Sequence, residues 1–133
     1  MTGCSAPDLL RAFTEATADA AGDGQTVCAV SGEGELTRTF DHPTHALTVG
    51  TLQDFLDGYV NAHPGAACDY IHGEASLRTL ARREGAVGFL MEGMPKEALF
   101  PYVTAHGALP RKTFSMGEAA SKRYYIEARR ITE

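Results

Sequence analysis

The chain has 133 residues, 44% hydrophobic and 22% charged, with a formal net charge of -5. That length and balance fit one domain, residues 1–133, with a hydrophobic core, and they exclude a disordered or low-complexity chain. The acidic total argues against nucleic acid as the main partner, and no apolar run is long enough to span a membrane.

The first helix is predicted from Pro7 onward, after Ser5, with Leu9, Leu10, Phe13, Ala16, Thr17 and Ala20 at helical spacing. Ala21 to Gly24 stops it. TVCAVS and ELTRTF follow as short β-prone runs separated by Gly32-Glu33-Gly34, which reads as a hairpin. Asp41 to Gly50 reads as a loop. A second helix starts at Thr51, where Leu52, Phe55, Leu56, Tyr59 and Val60 form one apolar stripe and Asp54 and Asp57 face outward. HPGA ends it.

CDYIHG (Cys68–Gly73) then reads as a strand. EASLRTLARREG reads as a helix ending at Gly85, with Arg82 and Arg83 suited to the negative end of its dipole. AVGFLM reads as a strand buried on both faces. Pro95 can start a short helix, which Pro101 breaks or kinks. RYYIEARRI alternates as a final strand with one wet face; Tyr124 and Tyr125 then point to opposite sides and cannot serve one ligand. Strand, helix, strand, helix, loop and strand from about residue 66 predict an α/β fold, α+β being the alternative. Its βαβαβ core builds a mixed sheet, with the N-terminal helix and hairpin at its edge or in a second layer.

Charge is unevenly spread. Residues 1–74 hold eleven acids and two bases, and residues 75–133 hold six acids and ten bases. The basic end suits a small anion or an acidic partner surface. Cys4, Cys28 and Cys68 lie far apart and form no CxxC or CxxH pairing, which predicts reduced thiols in a cytoplasmic protein. The opening MTGCSAPDLL has neither a basic n-region nor a long apolar stretch, so a secretion signal is not expected.

Two places could carry chemistry. His72-Gly73-Glu74 falls where a strand meets a helix start, an edge at which ligands bind in open α/β sheets. Free N–H groups at the helix start attract an anion, and His72 or Glu74 can take or give a proton. The structural alternative makes Gly73 the turn, Glu74 the helix-start acid and His72 a polar strand end. The second place is the loop LPRKTFSMGEAASKR. Arg111, Lys112, Lys122 and Arg123 flank Thr113, Ser115 and Gly117, supplying the cations, hydroxyls and close backbone that phosphate recognition uses. It has no Walker order, and Ser115 has no nucleophile elbow around it. Its structural alternative is a solvated basic surface. His42 and His45 share a loop with Asp41, but no third ligand is placed by spacing, so no metal site is predicted. His63 and His106 fit helix-end roles.

VGTLQDFLDGYV, DYIHGE, VGFLMEGMPKEALFPYV and above all GALPRKTFSMGEAASKRYYIEARRI resemble the C-terminal part of a large bacterial and archaeal family, the domain-of-unknown-function family numbered 1015. The resemblance covers residues 49–131, most specifically Leu109 to Ile131, while residues 1–48 match only loosely. Full-length members are much longer, and their earlier half carries an Asp-Gly-His-His-Arg motif similar to the nucleotide-binding region of ParB-like proteins and of kinases acting on free serine. The resemblance therefore implies a nucleotide-dependent small-molecule phosphotransferase; the sequence itself leaves the cofactor open, and ATP comes in by family analogy alone. Asp-Gly-His-His-Arg does not occur in this sequence, whose nearest stretch is DHPTH.

The expectation is a C-terminal module that binds an anionic ligand and is inactive alone, a fragment, split product or free-standing domain. In that reading His72 and Glu74 act on the ligand, while Gly73, Arg111, Lys112, Thr113, Ser115, Lys122 and Arg123 hold it. A non-catalytic structural or protein-interaction domain is the alternative. Surface meant for a missing half predicts self-association.

Overall fold

A computed structural model describes residues 1–19, 24–110 and 113. Helix α1 runs over Ala6–Glu15, with Pro7 in the first turn, where its missing N–H has no intrahelical role. Leu9 and Phe13, four apart and so on one face, are both fully buried. The helix ends before Ala20, contrary to its apolar spacing, because Thr17–Asp19 becomes strand β1. Arg38, from strand β3 (Gly34–Phe40), explains the early stop. Its guanidinium donates to the Thr14 carbonyl at 3.2 Å, the Thr17 carbonyl at 2.6 Å and the Thr17 hydroxyl at 3.2 Å, and it also binds the Asp19 carboxylate. Carbonyls at the helix end are thus satisfied by a cation from elsewhere in the chain.

The hairpin forms as expected. Strand β2 (Thr26–Ser31) pairs antiparallel with β3 through Ser31↔Gly34. Gly34 turns with φ 137°, and the Ser31 hydroxyl accepts the Glu33 N–H at 3.2 Å. The hairpin is the centre of the sheet, not its edge. Strand β4 (Gly88–Met91) joins β2, giving the order β1-β3-β2-β4.

Helices packed on a sheet make this an α/β fold, but the expected βαβαβ core with a mixed sheet is corrected. All three strand pairings among the described residues are antiparallel. Cys68–Gly73 is an extended loop, not a strand. Residues 1–4 take the place beside it: Thr2 bridges both Ala67 and Ala86, and the Met1 nitrogen donates to the Val87 carbonyl at 2.9 Å. The expected final strand lies outside the described residues.

Side chains on one sheet face, Val27, Ala29 and Phe40, meet Leu9 and Phe13 of α1 and Leu52, Leu56 and Tyr59 of helix α2 (Thr48–Ala62). Phe13 anchors this core, with its ring edge-on to Phe40 and Phe89 at centroid distances of 6.0 and 5.3 Å. Helix α3 (Glu74–Ala81) covers the other face at Val30 and Gly88. It stops at Ala81, short of the predicted Gly85. Strand β4, expected to be buried on both faces, is half-buried over Phe89–Met91 because it is an edge strand of the described sheet.

After β4, a short 3-10 turn over Lys96–Ala98 leads into helix α4 (Leu99–His106). Pro101 does not break α4, since it occupies the third helical position, where no intrahelical N–H bond is lost. Phe100 is 79% exposed and Val103 41% on its outer side.

Candidate ligand cleft

The packing leaves a cleft of about 930 Å³ between α2, α3, β4 and the 92–98 segment, with the 68–72 loop along its rim. Its walls are mostly apolar, with Leu52, Leu56, Leu77, Val87, Phe89 and Met91 among them. Two rules of local structure put it there. The helical stripe of α2 and the alternation of β4 both turn apolar side chains inward. The small residues Gly88 and Ala81 let α3 approach the sheet closely, with a Cβ at Gly88 falling 2.4 Å from Leu77 Cδ2 and 2.9 Å from Ala81 Cβ.

His72, Arg83, Gln53, Tyr70, Thr2 and Thr48 bring polar side chains to the cleft, Thr113 lies in its lining, and Asp69, Glu84 and Glu92 bring carboxylates. His72 and Thr113 come from the two places the sequence singles out, forty-one positions apart, and both line this one cavity. The Thr113 hydroxyl donates to the Pro110 carbonyl at 2.7 Å, and the Thr113 backbone N–H donates to the same oxygen at 3.3 Å.

Gly73 sits just before α3 with φ 91°, in the left-handed region that favours glycine, and so lets the rim loop turn into the helix. Glu74 does not line the cleft. Its carboxylate accepts Arg78 Nε at 2.7 Å on the outer side of α3, and Arg78 also binds Glu35 of β3. Arg111, Lys112, Ser115, Lys122 and Arg123 lie outside the described residues.

The sequence reading missed Arg83, taken there as a helix-end charge, and the Met1–Gly3 strap, which forms part of the wall. Neither has a local signature; both arrive by tertiary contact. Cys68 also faces the cleft. Burial pushes its thiol up, the nearby Met1 ammonium opposes that, and Asp57 and Asp69 add to it. The neutral thiol is therefore favoured, which suits an apolar wall better than a nucleophile.

Among the described residues no three His, Cys, Asp or Glu side chains group to hold a metal ion, and no helix is long and apolar enough to cross a membrane. The fold and cavity define a small α/β domain with a ligand-sized, largely apolar cleft that carries several polar side chains. Compared with known proteins, the chain matches no family model, no curated protein and no solved structure.

Proposed function

We propose that this chain is the ligand-binding module of a nucleotide-dependent small-molecule phosphotransferase related to the family numbered 1015. The cleft holds a small molecule with an apolar body and an anionic group, and His72 and Arg83 meet the anionic end, with Thr113 beside them in the lining. One observation carries this reading: a residue of the His-Gly-Glu corner and a residue of the basic loop line the same cavity. Apolar walls with a few placed donors are the usual composition of such sites. Phosphoryl transfer also needs metal-binding carboxylates, a phosphate cradle and a base held together. In this reading a segment carrying Asp-Gly-His-His-Arg supplies those parts, along with the ATP site.

Thermal shift with ATP, ADP, inorganic phosphate and phosphoserine tests it. A ligand at a hundred times its dissociation constant stabilises the fold by ~2.7 kcal/mol. The expected result is a shift with at least one of these, reduced in His72→Ala and Arg83→Ala. No shift with any anion, or shifts that both variants leave unchanged, would overturn the reading.

The exposure of Phe100 and Val103 on α4 favours a second reading, a protein-interaction domain that docks through that helix. Light scattering at high concentration separates the two. Self-association abolished by Phe100→Ser supports docking, and a monomer at every concentration removes self-docking from consideration.

A further inference from the structure

We propose that a second cleft, of about 640 Å³ between α2 and α4, is a binding site for a primary alkylammonium ligand. One wall carries His45, Gln53, Asp54 and Asp57; the facing wall carries Tyr102 and His106.

The α2 wall is built around a fixed histidine. The Thr51 hydroxyl lies 3.2 Å from the His45 nitrogen and 3.4 Å from its carbonyl oxygen, and Gln25 donates to that same oxygen at 2.6 Å. The ring lies so close to α2 that a Cβ at Gly50 would fall 2.7 Å from its Cγ, so glycine at 50 is what admits it. His45 Nε2 then meets Asp54 Oδ2 at 3.1 Å, and the Thr44 hydroxyl donates to the same oxygen at 2.7 Å. The Thr44 hydroxyl donates to the carboxylate and the His45 ring lies against the same oxygen, which leaves its other oxygen facing away from both.

Asp57 lies one turn further along the same face of α2. It takes the Gln53 amide on Oδ1 at 2.6 Å. Each carboxylate thus commits one oxygen to the protein, and neither Asp54 Oδ1 nor Asp57 Oδ2 has a hydrogen-bond partner among the described residues. Across the cleft the Tyr102 and His106 rings pack with centroids 4.7 Å apart at 42°, a paired aromatic surface.

The chemistry of these walls selects the guest. Among the described residues the carboxylates of Asp54 and Asp57 line the cleft and no Lys or Arg does, which favours a cationic guest. A metal ion is not favoured, because no three ligating groups converge among the described residues. An ammonium group has three N–H donors for carboxylate oxygens, and its charge is attracted to aromatic faces. The cavity has room for the alkyl chain behind it.

NMR titration of the whole chain tests this with butylammonium chloride as the probe. Butanol serves as the neutral isostere and sodium butyrate as the anion. The expected result is saturable shifts at Tyr102, His106 and the Asp54 and Asp57 amides with butylammonium, and binding about tenfold weaker or worse for the other two. Asp57→Asn, an exposed and nearly isosteric change, should weaken butylammonium about tenfold while the rest of the spectrum is retained. Tyr102→Leu should weaken it as well. Equal binding of butanol and butylammonium would overturn the proposal, as would shifts that never saturate or an Asp57→Asn variant with unchanged affinity. The anion probes report on the larger cleft, so failure of either site leaves the other standing.

Discussion

Gly88→Ala tests how α3 is held on the sheet and whether its height controls the larger cleft. The new Cβ would lie 2.4 Å from Leu77 Cδ2 and 2.9 Å from Ala81 Cβ. Unstrained carbon contacts lie near ~3.5–4.0 Å, so α3 must lift by about 1 Å at Ala81. Leu77 can swing its terminal methyl aside, but the Ala81 Cβ is fixed to the helix backbone and cannot. Overpacking of this kind costs about 1–3 kcal/mol. In a domain of this size that lowers Tm by roughly 3–10 °C, with the denaturant midpoint falling at constant slope. Urea melts followed by circular dichroism measure both. Ala81→Gly in the same chain removes the rigid contact, so the two changes should show a favourable coupling of about 1 kcal/mol in a double-mutant cycle. Gly88, Leu77 and Ala81 also line the cleft, so anion binding should change together with stability. A Gly88→Ala variant with the parent's midpoint would refute this account of the α3 interface.

Arg38→Met should lose about 2–3 kcal/mol, because it strips charge-assisted bonds from the Thr14 carbonyl at the end of α1 and the Thr17 carbonyl at the start of β1. Faster hydrogen exchange in β1, with β2 protected as before, would locate the damage; a loss below about 0.5 kcal/mol would contradict the clamp. Tyr59→Phe should be neutral or stabilising by up to about 1 kcal/mol, since the Tyr59 hydroxyl is buried without a partner among the described residues. A clear loss of stability would show that this hydroxyl has a partner after all. Alkaline pH should also destabilise the fold. Burial raises the Cys4 and Cys68 thiols above their ordinary value of 9.0 in the folded state, so the fold favours the protonated form. Their contribution is intact below that value and lost as pH rises through the raised one. Melting curves from pH 7 to pH 11 should show the decline, and it should flatten in a Cys4→Ala, Cys68→Ala double variant.

Much of the local structure was legible. The hairpin followed from two β-prone runs around Gly32-Glu33-Gly34, and α2 from one apolar stripe, because turn chemistry and helical period act over a few residues. Of the candidate site, His72 and Thr113 were chosen by residue type, and both line the larger cleft. Glu74 was chosen for the same reason, yet Arg78 lies one turn further along α3 and takes its carboxylate. His45 was set aside as a loop histidine because its partners, Gln25, Gly50 and Asp54, act through space and share no spacing rule.

What residue order determined by itself was the set of periodic segments: which stretches could be helix or strand, and which face of each would be apolar. Only the tertiary structure decided how those faces were spent. Apolar burial is nondirectional, so a strand-like run such as Cys68–Gly73 pairs only if a neighbour leaves room. Here Thr2 occupies that edge, bridging both Ala67 and Ala86. Backbone groups at Ala67 are satisfied by the N-terminal strap, and among the described residues the sheet is an antiparallel hairpin with two flanking strands, in which the strand expected at Cys68–Gly73 has no place.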